Sequence, residues 1–398
     1  MASDLVIRNA RPSGREGTDI LIRQGRIVSV GRLNGAPNVE VLDARGELLL
    51  PGLVEAHTHL DKTLWGMGWH PNSAGPRLID KIENERRLKK QLGIDPTRQS
   101  ARQVVQSLRM GSTHIRTHVD VDTEVGLSGI EGVMATREQY REAIEIQIVA
   151  FPQSGLLIRP GTVELMEDAL RMGAEVIGGL DPSAIDRDPK GHLDTVFGLA
   201  QKYGRPLDIH LHELSELGGF SIELIIERTR ALGMQGKVTV SHAFCLGMAE
   251  RDYASALIDD LARERIAIMT TGAPSRPVPP IKQCVDAGVV VCSGSDGIRD
   301  TWGPYGNADM LERAMLLGLR NNFRRDEEVE IALDVCTHGG AKVMGLDGYG
   351  LESGCTADLL LVPGETPTEA VVSRPSKRTV IKRGRVVVRD SEPLVSAA

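Results

Sequence analysis

Residues 51–62 read PGLVEAHTHLDK, an apolar run that closes on His57-Thr58-His59. Side chains alternate along a strand with period two, so His57 and His59 project to the same side. Neutral imidazoles suit Zn²⁺ or Fe²⁺, and one strand can thus offer two ligands at its carboxyl end. A single His-x-His carries little weight, because most histidines are satisfied packing or surface groups. Repetition strengthens it here: His210, His212, His242 and Asp296 each close a later apolar run.

Outward from that stretch, β-rich runs recur at 48–59, 114–120, 146–153, 175–181, 206–213, 238–244, 266–272 and 289–296. Segments with helical spacing of apolar residues lie between them, such as 162–173 and 252–266. Strand–helix alternation of this kind builds a parallel sheet. Eight such units that close on themselves predict an α/β fold, a (β/α)₈ barrel. An open, doubly wound sheet is the alternative, but no glycine-rich phosphate loop follows the first strand. The two ends differ in texture. Residues 4–50 are short alternating strands with turns at Gly25 and Gly46, and residues 356–388 repeat the pattern. The predicted organisation is a composite β-sandwich from 1–50 plus 350–398 around a barrel at 51–349. The final SEPLVSAA is expected to fray.

A chain of 398 residues has room for a large barrel and a smaller appendage. With 41% hydrophobic and 25% charged residues it reads as an ordinary globular protein. A net charge of −7 without a basic stripe argues against nucleic acid as a partner. No apolar run approaches the roughly 20 residues of a membrane span. No basic segment followed by an apolar core opens the chain, so no secretory signal is expected. Cys245, Cys284, Cys292, Cys336 and Cys355 form no CxxC pair, which fits reduced, core-packing thiols in a cytoplasm.

Barrel enzymes carry their chemistry at the carboxyl ends of the strands. His57 and His59 fall there on strand 1, His118 and Asp120 on strand 2, Gln153 on strand 3 and Asp181 on strand 4. Strand 5 adds His210, His212 and Glu213, strand 6 His242, and strand 8 Asp296. Buried polar groups without partners cost a few kcal/mol each, so this many in one mouth argues for a site. Three nitrogens and a carboxylate, from His57, His59, His210 and Asp296, leave one position of a single divalent ion open to water. Such an ion lowers the pKa of its water from about 16 towards 7. Asp296 can then also accept a proton. His242 can hold the nucleophile, polarise the substrate, or support the ligands from behind. Glu213 can carry a proton to a leaving amine. Two-metal sites usually bridge through a modified lysine on a middle strand, and no lysine lies between Lys90 and Lys190. The cysteine-ligated zinc deaminase plan needs a PCxxC motif that is absent. His118 and Asp120 read as supporting groups, and His212 is expected to turn away from His210 and not to ligate, unless a bulge at the strand end brings it into the pocket. Trp302 and Tyr305 can wall a flat heterocycle or pack their own loop. Arg299 and Asp300 read as an ion pair.

HTH at 57–59, HLHE at 210–213, SHA at 241–243 and SD at 295–296 resemble the amidohydrolase superfamily. RTHVDVD (116–122), VAFPQSG (149–155) and SDGIRDTWGPYGNADM (295–310) narrow the resemblance to its cytosine deaminase branch, nearly end to end. The resemblance implies one Zn²⁺ or Fe²⁺ on His57, His59, His210 and Asp296, assistance from His242, and a ring contact from Gln153. It implies a metal-dependent hydrolase of a non-peptide C–N bond in a nitrogen heterocycle, by deamination or dealkylamination, and a homo-oligomer. An N-alkylaminotriazine amidohydrolase is the nearest alternative; a non-catalytic binding barrel is the alternative of another class, disfavoured by the complete ligand set. Cytosine deaminases carry a second Asp after the metal-binding one. Here that position is Gly297, read as extra space beside the metal and so as a preference for a larger or N-substituted ring. Triazine-degrading relatives carry Asp where this chain has Glu213, which pulls towards ammonia release.

Overall fold

The computed structural model describes residues 4–33 and 39–395. Five strands come first: β1 (Leu5–Pro12), β2 (Thr18–Arg23), β3 (Arg26–Val30), β4 (Glu40–Asp43) and β5 (Leu48–Pro51). Eight follow in the middle: β6 (Leu53–Thr58), β7 (Ser112–Asp120), β8 (Glu145–Phe151), β9 (Val176–Leu180), β10 (Leu207–Leu211), β11 (Val238–His242), β12 (Ala267–Met269) and β13 (Val291–Cys292). The chain ends on β14 (Leu359–Val362), β15 (Thr379–Lys382), β16 (Arg385–Arg389) and β17 (Glu392–Pro393).

The middle eight pair in chain order, every pair parallel. The ring closes by hydrogen bonds from Ala56 N–H to the Ser293 carbonyl (3.0 Å) and from Asp296 N–H to the His57 carbonyl (2.9 Å). The predicted barrel is thus observed. All nine residues of β7 are buried, as a strand covered by helices outside and side chains inside must be. The connecting helices start and stop on local signals. Asp95 caps Pro96–Arg109 by accepting from Arg98 N–H, and Gly173, at φ 119°, ends Thr162–Met172 in a left-handed turn.

Both termini build the second sheet, in the order β17-β16-β15-β14-β5-β1-β2-β3, with β4 also on β1. β1 pairs with β2 from Leu5 to Ala10, then with β5 through Arg11 and Pro12, and so passes from one layer to the other. Leu5, Ile7, Ile20, Ile22, Leu49, Leu359, Leu361 and Ile381 pack between the layers as one buried cluster. The apolar faces of the two ends complete each other, as a sandwich of both termini requires.

Two expectations are corrected. The first predicted strand, 48–59, is two strands in two sheets: β5 pairs with β14 and β6 with β7. Pro51 lacks an N–H for a continuous ladder, and Gly52 lies where a Cβ would come within 2.3 Å of Thr113 Cγ2. The C-terminal segment also does not fray where it is described. Glu392 and Pro393 pair with Arg389 and Val388, and Val395 packs on the barrel core. Residues 396–398 of that expectation lie outside the described residues. Among the described residues no helix is long and apolar enough to cross a membrane.

Gly52→Ala should cost about 1–3 kcal/mol, the usual penalty of overpacking. Urea unfolding would show it, and adding Thr113→Ala should recover part of the loss; an unchanged midpoint in the single variant would remove the steric account of the break.

Candidate active site

The carboxyl ends of the barrel strands bring six histidines together. The ring centroid of His57 lies 4.6 Å from that of His210, 5.2 Å from His242 and 4.0 Å from His118. Asp296 reaches into the same group: its Oδ1 stands 3.1 Å from His59 Nε2 and 3.8 Å from His57 Nε2. Among the described residues four sets of donor atoms lie within 4.8 Å of one another: His57 with His59 and Asp296, with His210 and His242, and with His118 and Asp208, and His59 with Asp61 and Asp120. His57 joins the first three.

The neighbours fix which nitrogen of each ring is available. His59 Nδ1–H donates to the His118 carbonyl at 3.0 Å, which turns Nε2 towards Asp296. Ser241 Oγ donates to Asp208 Oδ1 at 2.6 Å and lies 3.2 Å from His57 Nδ1. Its oxygen can therefore accept from that ring, leaving the His57 Nε2 lone pair free. His57 Nε2 and both ring nitrogens of His210 are buried without a hydrogen-bond partner. Burial and the neighbouring imidazoles push the pKa of His57 and His210 well below the usual histidine value, so both are neutral. Neutral buried nitrogens with nothing to bond, facing a carboxylate, are what a divalent cation requires. The side chain of Asp296 is 40% accessible against 0% for His57, so the carboxylate stands on the open side.

The amidohydrolase family model matches residues 40–388. The chain belongs to the amidohydrolase family. As a member it is a hydrolase of carbon–nitrogen bonds. N-isopropylammelide isopropyl amidohydrolase of Pseudomonas sp. (strain ADP) is 32% identical over 97% of this chain and 98% of its own. The crystal structure of N-isopropylammelide isopropylaminohydrolase from Burkholderia multivorans ATCC 17616 superposes at a TM-score of 0.96, with 49% identity over 98% of this chain and 100% of that one. That of 5-methylcytosine deaminase from Klebsiella pneumoniae with 5-fluorocytosine gives 0.84, with 30% identity over 96% and 97%.

In this amidohydrolase the remaining residues take the following places. His242 presents a buried, unpartnered Nε2, and burial with the nearby His212 pushes its pKa down to about 3. His212 does not turn away, which corrects that expectation: two residues on from His210, it keeps to the same side, as His59 does with His57. β10 ends at Leu211, and beyond it His212 N–H and Nδ1 both bond the Asp181 carboxylate, at 2.5 and 2.7 Å. That pair lays the ring 4.3 Å over His242. Burial opposes a charge on His212, but Asp181 holds its pKa above the usual value. Glu213 Oε1 accepts from Ser183 and Ala184 N–H, both at 2.7 Å, and Oε2 accepts from the Ser221 hydroxyl. Burial pushes its pKa up.

Gln153 is held by a lysine that sequence reasoning passed over. Lys62 Nζ donates to Gln153 Oε1 at 2.7 Å, to Asp120 Oδ1 at 3.2 Å and to Glu85 at 3.2 Å. Lys89 bonds Asp120 as well and lies 3.4 Å from Glu85 and 3.9 Å from Asp61. The motif HLDK contained the signal, but only the fold shows its lysine to be 3% exposed. The indole of Trp302 sits between Lys62 and Lys81, at 5.6 and 5.7 Å from its centre. Tyr305 is 82% exposed and walls nothing. Arg299 and Asp300 form no pair: the guanidinium stacks 4.6 Å over Trp65, while Asp300 Oδ1 accepts from Trp302 and Gly303 N–H at 2.8 and 3.1 Å. His192 is tied to Asp186, and His114 to Asp358 and Lys382 near the second sheet.

Burial alone would raise the pKa of Asp120, but Lys62 and Lys89 hold it well below the usual carboxylate range. A depressed carboxylate stabilises the fold above its unfolded value of about 3.9, and the contribution fades as pH falls through the folded pKa. Asp120→Asn should therefore cost about 3–5 kcal/mol near neutrality, as the loss of one partner of a buried ion pair does. The gap to wild type should narrow below about pH 4. Urea unfolding across that range checks the sign; a gap independent of pH would contradict it.

Proposed function

We propose that this amidohydrolase removes an amino or alkylamino group from a neutral, flat nitrogen heterocycle, using one Zn²⁺ or Fe²⁺ held by His57, His59, His210 and Asp296. The observation that supports it most is the set of buried, unpartnered nitrogens on His57 and His210, with His57 also beside Asp296 and His59. When bound, the ion would supply an activated water and polarise the carbon under attack.

The rest falls to side chains. Asp296, anchored through its backbone N–H to His57, takes the proton of the attacking water. His242, its Nε2 free, hydrogen-bonds the oxygen that adds to the ring. Glu213 returns a proton to the departing nitrogen. Gln153 grips the ring edge, and Trp302 forms part of the wall. A single ion is supported by the cage opposite. Lys62 and Lys89 already pair with Asp61, Glu85 and Asp120, which keeps this carboxylate cluster from serving a second cation. The relatives' names support a substrate of the alkylaminotriazine or aminopyrimidine kind. The resemblance also supports a homo-oligomer, and the free cysteines support a cytoplasmic location; light scattering that gave a clean monomer would refute the assembly.

Metal analysis should find about one ion per chain. A panel of aminopyrimidines, aminopurines, pterins and aminotriazines, scored for ammonia and alkylamine, should show turnover on at least one ring. Asp296→Asn should lower that turnover by about 10³-fold or more while the fold persists. Activity confined to lactones or phosphoesters would overturn the C–N assignment, and full activity of the Asn variant would overturn the mechanism. Glu213→Gln keeps an oxygen for the two backbone N–H groups, so it should melt like wild type yet lose about 10²–10⁴ in kcat. An unchanged kcat would move the proton transfer elsewhere.

A further inference from the structure

Gly297 follows the metal-binding Asp296, and its lack of a side chain was read from sequence as open space. The space is filled. A Cβ built on Gly297 would lie 1.8 Å from Asp300 Oδ2 and 2.7 Å from Asp300 Cγ. Gly297 is outside the left-handed region, so the obstacle to a side chain there is Asp300 itself. Asp300 is 7% exposed and is locked from one side only: Oδ1 takes both Trp302 N–H and Gly303 N–H. Among the described residues Oδ2 has no hydrogen-bond partner, and it is not among the carboxylate oxygens sealed from solvent without one. A buried carboxylate thus keeps one oxygen in reserve, beside the residue next to the metal ligand.

Gln153 is its counterpart. An ammonium can only donate, so the 2.7 Å contact from Lys62 fixes the amide with Oε1 towards the lysine. Gln153 Nε2, which has no protein partner among the described residues, is then left as a donor. Asp300 thus keeps a spare acceptor and Gln153 a spare donor, and Lys62, which holds Gln153, also lies 5.6 Å over the ring of Trp302, whose backbone N–H bonds Asp300.

We infer that Asp300 is the specificity-determining residue of this site: Oδ2 accepts a ring N–H while Gln153 Nε2 donates to a ring carbonyl, so the preferred ring carries a lactam, N–H and C=O, beside the carbon that is attacked. The inference rests on the heterocycle reading and narrows its substrate class to oxo-heterocycles with a free ring N–H. Gly297 is the condition for it, since any side chain there would displace the carboxylate.

Asp300→Asn tests the role without disturbing the turn. Its Oδ1 must still accept from Trp302 and Gly303 N–H, so the amide nitrogen replaces Oδ2 and an acceptor becomes a donor. The probes are 1,3,5-triazine-2,4,6-trione, with three ring N–H groups, and its N-trimethyl derivative, which has none. Both are titrated calorimetrically into metal-loaded enzyme. Wild type should bind the N–H ring more tightly by about tenfold, the size of one charged hydrogen bond. Asp300→Asn should weaken that ring by a similar factor, erase the preference, and melt close to wild type. Gly297→Asp combined with Asp300→Gly, which roots the carboxylate at the other position, should restore part of the preference. A preference that survives Asp300→Asn overturns the inference and leaves the heterocycle reading standing. Failure of wild type to bind either ring, with no turnover on the heterocycle panel, overturns both.

Discussion

The backbone hydrogen bond from Asp296 N–H to the His57 carbonyl joins the closure of the barrel to the spacing of its first and last catalytic side chains. β13 is only two residues long, so the seam cannot rely on an extended ladder. It relies on this bond, on Ala56 N–H to Ser293, and on the Thr58 hydroxyl donating to the Asp296 carbonyl at 2.9 Å. Gly294 runs so close to His57 that a Cβ there would lie 2.2 Å from its carbonyl oxygen. Closure and ligand placement are therefore one constraint. A seam that opened would release the fold and pull Asp296 from His57 and His59 together.

Much of this was legible in the sequence because it obeys short-range periodicity. Period two put His57 and His59 on one side, and eight apolar runs separated by helical spacing required a parallel ring. What failed did so where the period was not followed through or where partners are distant in the chain. Period two sets His212 on the side of His210, against the expectation that it turned away, and Asp181 then fixes where the ring points. The division of 48–59 between two sheets depends on Thr113 crowding Gly52, across some sixty residues. Asp300 could not be placed from sequence, since its neighbour Arg299 offered a simpler partner. Only the left-handed turn at Arg299, φ 44°, sends the two side chains apart.

The Lys62 cage shows why so polar a floor can be buried. Two ammonium groups face Asp61, Glu85 and Asp120, and removing charges from water costs several kcal/mol each unless the partners and remaining protons are satisfied. Such a cluster is a poor source of net stability. Its value lies in direction: Lys62 has more acceptors than protons, so its contact with Gln153 Oε1 leaves the amide only one orientation. The cage converts a side chain that could read either donor or acceptor into one that donates.

The same trade recurs in the backbone. Asp181, His242 and Asp296 sit at φ 36°, 72° and 61°, left-handed values that cost non-glycine residues of order 1–3 kcal/mol each. Each lies at the carboxyl end of a strand, where the chain must leave the ladder at once, and each carries a side chain of the site. A glycine would relieve the turn at every one of these positions and would remove the chemistry with it. The barrel can hold the strain because the residues just before it are locked: β9, β10 and β11 are buried throughout and paired on both edges. Rigid strands supply the stability that the site spends at their ends, and so the reactive groups cluster at one rim of the ring.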